Sequence, residues 1–280
     1  MQFTDAPREP FGTTLLEMTI PSQLSLKMPL VFRMIKELQA RQCLPWTGTH
    51  RAELCLDEAI TNAMVHGNRL DPARKVRVLL FADGKRWGAL VQDQGEGFGQ
   101  EHVPSPGNEQ SLFRESGRGL MLMKGWLDEL SYCRKDTSLF MARRRQTEPD
   151  ATEAAAAMNV EAAEAPAASG PVAVSKEGEA NVVQLLTPRL TEENADLVRG
   201  AILDVPGRRL ILDLSLVEYI SSVGLSTLVG LHKNITGRNG RLVLAAIQPS
   251  VADIIRAAYL LDLFIIAPDR KAALAALKKG

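Results

Sequence analysis

Glu58, Asn62 and His66 stand at i, i+4 and i+8 in Leu54-Cys-Leu-Asp-Glu-Ala-Ile-Thr-Asn-Ala-Met-Val-His-Gly67. On a helix this spacing gathers them on one side, while Leu56, Ile60, Ala63 and Met64 fall on the other. A carboxylate and a carboxamide one turn apart offer oxygen donors to a divalent cation and can orient a water or hydroxyl for attack. Taken alone, the stripe also fits an ordinary solvated helix face. His66 reads as a helix-end histidine that caps or packs, because no second histidine or cysteine stands at ligand spacing. Downstream, Val91-Gln-Asp-Gln-Gly-Glu-Gly-Phe98 sets Asp93, Gly95 and Gly97 at the end of an apolar run, and Gly117-Arg118-Gly119-Leu120 opens a further helical stretch. Each glycine pair by itself reads as an ordinary turn.

The elements that must position these residues follow from the periodicity. Thr13 to Ile20 alternates as a strand, and Pro21-Ser-Gln turns into a helix over about residues 25 to 44 with Leu30, Met34 and Leu38 as core. Thr47 or Thr49 caps the central helix, and the Gly67 to Pro72 cluster ends it. Lys75 to Phe81 and Trp87 to Val91 flank Asp83-Gly84 as a hairpin whose second strand delivers Asp93 to its end. Residues 99 to 116 carry too little apolar pattern for a packed element and read as a mobile lid between the two glycine motifs. A helix over Arg118 to Asp128 and a hairpin over Leu130 to Ala142 complete the pattern.

From 146 to 170 the chain turns to Ala, Glu and Pro with almost no large side chains, which reads as an acidic, flexible interdomain linker. A second pattern follows. Strands over Val172 to Ser175 and Asn181 to Leu186 precede a helix over 191 to 204 and a near-continuous apolar strand, Arg209 to Ser215, of the kind buried on both faces of a mixed sheet. A turn at Tyr219 to Leu225, a helix from Leu225 to Ile235, a strand Arg241 to Ile247 and a helix over 249 to 258 come next. The whole is α/β, with domains expected at 12–145 and 171–280.

A total of 33 basic and 33 acidic residues leaves no net charge, so no global field favours nucleic acid or an anionic membrane. Cys43, Cys55 and Cys133 are odd in number and set among apolar residues, which indicates core thiols in a reducing compartment, with neither a disulfide framework nor a metal cluster. The N-terminal stretch lacks a signal-peptide pattern, and no apolar run reaches the ~18 residues of a membrane span. The expectation is a soluble, cytoplasmic protein.

Together, Glu58 with Asn62, Asp93-x-Gly95-x-Gly97 and Gly117-x-Gly119 resemble the N, G1 and G2 boxes of the GHKL ATPase superfamily, nearest to the serine kinases that act as bacterial anti-sigma factors. The resemblance implies a Bergerat-type α+β sandwich binding ATP and Mg²⁺. It implies Asn62 as the Mg²⁺ ligand, Glu58 as the base or orienter for the attacking hydroxyl, and Asp93 as acceptor from the adenine amine. Gly95 and Gly97 would allow positive φ and close approach to the base. Gly117, Gly119 and Arg118 would meet phosphate at a helix start.

Leu210-Ile-Leu-Asp-Leu-Ser-Leu-Val-Glu-Tyr-Ile-Ser-Ser-Val-Gly-Leu225 resembles the signature of STAS domains, the anti-anti-sigma-factor fold. Switched members of that family carry Asp-Ser-Ser/Thr-Gly-Leu, with phosphate on the first serine after the aspartate. Here Ser221 occupies the aspartate position, Ser222 the phosphoacceptor position, and Val223 replaces the second hydroxyl residue. Ser221 or Ser222 also fits a simple N-cap. The resemblance implies a partner-switching regulator in which a serine kinase is fused to a STAS domain and phosphorylates a STAS serine in cis or in trans. Its implied partners are a sigma factor, a separate STAS protein, the chain's own other half, a PP2C-type phosphatase and a second copy as homodimer. A non-catalytic module that senses nucleotide and signals by conformation is the alternative.

Overall fold

The computed structural model describes residues 1–45, 49–97, 118–146, 170–258 and 260–278, which fall into two compact units, Met1–Ala154 and Ala155–Gly280. Thr47, the 99–116 stretch read as a lid, Gly117 and nearly all of the 146–170 linker lie outside the described residues.

In the first unit, β1 (Gln2–Thr4), β2 (Thr13–Pro21), β3 (Lys75–Ala82), β4 (Arg86–Gln92), β5 (Glu129–Cys133) and β6 (Ser138–Arg144) form one sheet in the order β1-β5-β6-β4-β3-β2. Neighbours are antiparallel except β1, which runs parallel to β5. Alternation along the strands divides their side chains between two faces. Val78, Leu80, Ala89, Val91, Leu139 and Met141 join the helix residues Met34, Leu38, Leu56, Ile60 and Met64 in the main core. Leu79, Phe81, Leu90 and Phe140 cluster separately with Phe11. The helices are α1 (Lys27–Ala40), α2 (His50–Thr61) and α3 (Arg118–Trp126), and α2 continues into a π-helical turn, Asn62–Gly67. The first helix is shorter than its periodicity suggests: a 3₁₀ turn, Leu24–Leu26, precedes it, and Gln42 with φ 56° reverses the chain after Ala40. Thr49 is the N-cap of α2 but makes no side-chain cap bond. Cys43, Cys55 and Cys133 are all buried free thiols.

One expectation needs correcting. The central helix does not keep a solvent-facing polar side: every residue from Ala52 to Thr61 is buried, including Glu53, Asp57 and Glu58. The reason is that α1 and α3 both pack on α2, so its acidic side faces protein. The charge is answered internally. Lys27, fully buried, ion-pairs with Asp57 and donates to Thr61 Oγ1 at 3.1 Å, tying the start of α1 to the last turn of α2.

The second unit is built on β13-β12-β10-β8-β7, with β7 (Val172–Glu177), β8 (Ala180–Leu185), β10 (Arg209–Asp213), β12 (Arg241–Ala245) and β13 (Ile265–Ala267). β8, β10, β12 and β13 are parallel, and β7 is an antiparallel edge. β10, flanked on both sides, is buried from Leu210 to Asp213, as its continuous apolar run requires. A short parallel pair, β9 (Arg189–Leu190) with β11 (Tyr219–Ile220), leads into α5 (Ser222–Gly237). The other helices are α4 (Ala195–Leu203), α6 (Pro249–Ala257) and α7 (Arg270–Lys278), and α7 packs Ala273 and Leu277 on the sheet.

Removing one member of a buried ion pair leaves the other charge uncompensated in a medium that solvates it poorly. Lys27→Met is therefore expected to destabilise the first unit by about 3–5 kcal/mol, and Lys27→Met with Asp57→Leu to recover most of that loss. Urea unfolding followed by tryptophan fluorescence checks this, since Trp46, Trp87 and Trp126 all belong to that unit.

Candidate functional site

The chemistry-bearing residues of the first unit are strung along α2 and its π turn. Glu58 is 4% exposed, Asn62 half-buried and His66 exposed. The π turn is closed by Asn68 N–H donating to Ala63 O at 2.8 Å and widens the helix after Asn62. His66, in its last turn, is exposed and does not pack.

At the upstream end, α3 begins against Glu58. A Cβ added to Gly119 would lie 1.7 Å from Glu58 Oε2 and 2.5 Å from its Cδ, so a side chain here would displace the carboxylate from the helix start. The side chain of Arg118 lies outside the described residues. At the downstream end, the Asp93 carboxylate sits on Gly67, where a Cβ would fall 2.3–2.6 Å from its carboxyl atoms. Asp93 Oδ1 accepts from Gly95 N–H at 2.7 Å. A Cβ on Gly95 would meet Gly67 O at 2.2 Å. Gly97 has φ +73°, as its motif suggests, whereas Gly95 is not among the positive-φ glycines; close approach, not backbone handedness, requires glycine there.

Burial pushes the Asp93 carboxyl above its ordinary range, an effect partly countered by the Gly95 N–H and by Thr137. Thr137, at φ 53° in the β5–β6 turn, donates through Oγ1 to Asp93 O at 2.6 Å. Gly67 and Thr137 escaped the sequence reading for different reasons. Gly67 reads as a helix terminator, and a threonine 44 positions from its acceptor gives no local signal.

These residues fit a magnesium nucleotide. Asn62 Nδ2 is buried without a hydrogen-bond partner, which is costly unless a further group satisfies it. Asn62 also stands one turn from a buried carboxylate. The three glycines let backbone approach the two carboxylates more closely than any side chain would allow.

In the second unit, the N-cap of α5 is Ser221. Its backbone is extended (φ −77°, ψ 172°), its Oγ accepts from Gly224 N–H at 3.3 Å, and it is 2% exposed. Ser222 is the first helical residue and half-buried. The chain before α4 packs on this helix start: Ser221 N–H donates to Leu190 O at 3.0 Å, Ser221 Oγ lies 3.5 Å from Glu192 Oε2, and a Cβ on Gly224 would meet Leu190 O at 2.3 Å.

A family model described as the histidine kinase-like ATPase domain matches residues 20–143, and the STAS domain model matches residues 174–273. The second unit belongs to the STAS family, and the first matches the histidine kinase-like ATPase domain. BtrV of Bordetella bronchiseptica, whose name assigns it to the anti-sigma factor antagonists, is 35% identical over 86 residues, 31% of this chain and 74% of that protein. Two solved structures are also similar. An anti-sigma factor antagonist from Mycobacterium paratuberculosis is 24% identical, with TM-score 0.35, over 38% of this chain and 92% of its own. An anti-sigma-factor antagonist (STAS) domain protein from Planctomyces limnophilus is 20% identical, with TM-score 0.35, over 39% and 99%. The glycine motifs therefore sit in an ATPase unit, and Ser221 and Ser222 in a STAS unit. Among the described residues, no helix is long and apolar enough to cross a membrane.

Two outcomes test the ATPase unit's geometry. Gly119→Ala should lower stability by about 1–3 kcal/mol through overpacking against Glu58, whereas Gly125→Ala in the same helix, where a Cβ meets nothing within 4 Å, should raise it by up to about 1 kcal/mol. Thermal unfolding of the pair separates the steric effect from helix propensity. Asp93→Asn should raise Tm of the nucleotide-free protein at pH 7, because a carboxyl whose native pKa exceeds its unfolded value weighs against folding once ionised. That gain shrinks as pH falls through the raised native pKa and is absent below the ordinary carboxylate range, where Asp93 is protonated in both states.

Proposed function

We propose that the ATPase unit is an ATP- and Mg²⁺-dependent serine kinase and that the STAS unit is the switched half of a partner-switching regulator. The observation that carries this reading is the pair of glycine-walled carboxylates, Glu58 against Gly119 and Asp93 against Gly67, joined by one continuous helical run. Gly67 stands nine positions after Glu58, so the two ends stand roughly 12–14 Å apart along the axis, a separation suited to an extended nucleotide with its base at one end and its terminal phosphate at the other.

In this reading Asp93 accepts from the exocyclic amine of adenine, with Gly95 and Gly97 keeping side chains away from the base. Asn62 gives its carboxamide oxygen to the cation, and the N-terminus of α3 with Gly117, Arg118 and Gly119 faces phosphate. Bound Mg²⁺ supplies charge neutralisation and oxygen coordination of the triphosphate. Glu58, held out of solvent, orients the attacking serine hydroxyl and takes its proton as the γ-phosphoryl leaves ADP for the serine oxygen.

The acceptor is a STAS serine, either Ser222 or its counterpart on a separate STAS protein. Ser221 fills the N-cap. Phosphate on Ser222 gains from the helix dipole at the start of α5. It also stands one residue from the Ser221–Glu192 contact, where like charge loosens the segment before α4. A binding surface changes while the fold persists. The name borne by BtrV supports a sigma-factor pathway as the output. Because both units belong to one chain, docking in cis would compete with a sigma factor or a separate STAS protein, and a PP2C-type phosphatase would reset the serine.

The test is incubation of the pure chain with γ-labelled ATP and Mg²⁺, alone and with STAS proteins. Label should appear on serine in wild type. Glu58→Ala should still bind ATP and lose transfer by about 10²-fold or more, whereas Asn62→Ala should lose Mg²⁺-dependent affinity. Equal loss of binding in both variants would contradict these roles. ATP uptake with no label on any serine would establish instead a module that senses nucleotide and signals by conformation.

A further inference from the structure

Next to the site lies a residue with no place in the three sequence motifs. Asn68 is fully buried, and its carboxamide is used on both sides. Nδ2 donates to Ser22 Oγ at 2.8 Å, just beyond β2, and to Lys75 O at 3.0 Å, the first residue of β3. Oδ1 accepts from the backbone N–H of Gln94 at 2.8 Å, between Asp93 and Gly95. Gln94 returns the link: its Oε1 accepts from Lys75 N–H at 2.7 Å. The Asp93 loop is thus stitched to the end of the π turn and to the sheet through one amide side chain. The adjoining Gly67 lies close against the Asp93 carboxylate.

The backbone around Asn68 is itself held out of its easy conformations. Arg69 and Leu70 have φ of 56° and 57°, left-handed values that residues other than glycine rarely adopt. They are kept there by Asn68 N–H to Ala63 O and Leu70 N–H to Met64 O, each 2.8 Å. Such strain persists where the surroundings over-determine it, and the buried amide does so here. A carboxylate that burial makes costly to ionise would relieve that cost by swinging toward water if its loop were loose.

We propose that Asn68 is the positioning residue for the base-reading end of the site: by gripping the Gln94 N–H it fixes the Asp93 carboxylate, and so sets adenine selectivity without touching nucleotide. This rests on the nucleotide reading above only for its ligand. A hydrogen-bonding site discriminates by leaving its polar group unpaired against the wrong base, and guanine presents an oxygen where adenine presents an amine. Discrimination of that kind requires a reader held to within about 0.5 Å.

The test uses the full chain with Asn68→Ala and Asn68→Asp, the latter keeping an acceptor for Gln94 while losing both donor arms. Hydrogen exchange without nucleotide should quicken at least about tenfold at the Gln94 and Gly95 amides in Asn68→Ala, leave Leu56 and Ile60 in α2 unchanged, and quicken less in Asn68→Asp. With Mg²⁺ present, ATP affinity and the preference for ATP over GTP should each fall about tenfold in Asn68→Ala, while turnover at saturating ATP stays within about twofold. Unchanged Gln94 exchange in both variants would overturn the proposal, as would weaker ATP binding with the ATP-over-GTP preference intact. Should Asn68→Ala not fold, the similarly sized Asn68→Leu, which also lacks the acceptor for Gln94, takes its place, and Gln94 exchange unchanged in it would overturn the proposal. A wild-type chain that took up neither nucleotide would sink the nucleotide reading, yet faster Gln94 exchange would still uphold the gripping of the Asp93 loop.

Discussion

Close approach of backbone to carboxylate is the constraint on which the ATPase unit depends. At Gly119, Gly67 and Gly95 the distances leave no room for a single methyl group. Each contact joins segments far apart in sequence: the start of α3 to the middle of α2, and the end of β4 to the end of the π turn. A side chain at any of them would push apart elements whose convergence gives Glu58 and Asp93 their surroundings. The glycines act less by bending the chain than by being small, and only Gly97 also needs its left-handed backbone.

This close approach demands that α2 be rigid and central, and the unit meets that demand by burying acids. Glu53, Asp57 and Glu58 lie in successive positions and turns of a helix enclosed by α1, α3 and the sheet. Apolar replacement of such charges is often no worse for stability, so the buried Lys27–Asp57 pair is better understood as fixing how α1 sits on α2 than as a source of strength. The π turn then lets the same helix end on Gly67, where a regular α-helix would present a different face.

Much of this was legible in the residues. The strands of both units announced themselves by alternation or by apolar runs, and Glu58 with Asn62 kept the one-turn relation their spacing demands. What could not be read depends on partners distant in the chain. Lys27 looks like any surface lysine until Asp57 is set beside it. Asn68 looks like a turn residue until Ser22, Lys75 and Gln94 converge on it. A π turn has no periodicity that six residues can display, so the widening of the helix after Asn62 gives no signal in the sequence. Short edge elements were also silent: β1 lies ahead of the expected start of the first domain, and β13 with α7 lies beyond the last helix that the pattern revealed. In the STAS unit the choice between two adjacent serines as cap was decided by backbone, since only Ser221 has the extended conformation a cap needs.

All three thiols belong to the ATPase unit, and residues 147–280 contain none. Cys43 follows α1, Cys55 lies inside α2 and Cys133 ends β5, and burial pushes the Cys43 and Cys55 thiols up, away from the reactive thiolate. A thiol-directed reagent therefore finds nothing to modify while that unit stays closed, and nothing at any time in the STAS unit. The rate at which such a reagent enters the intact chain is an innate clock for breathing of the ATPase unit, with no signal contributed by side chains of the other.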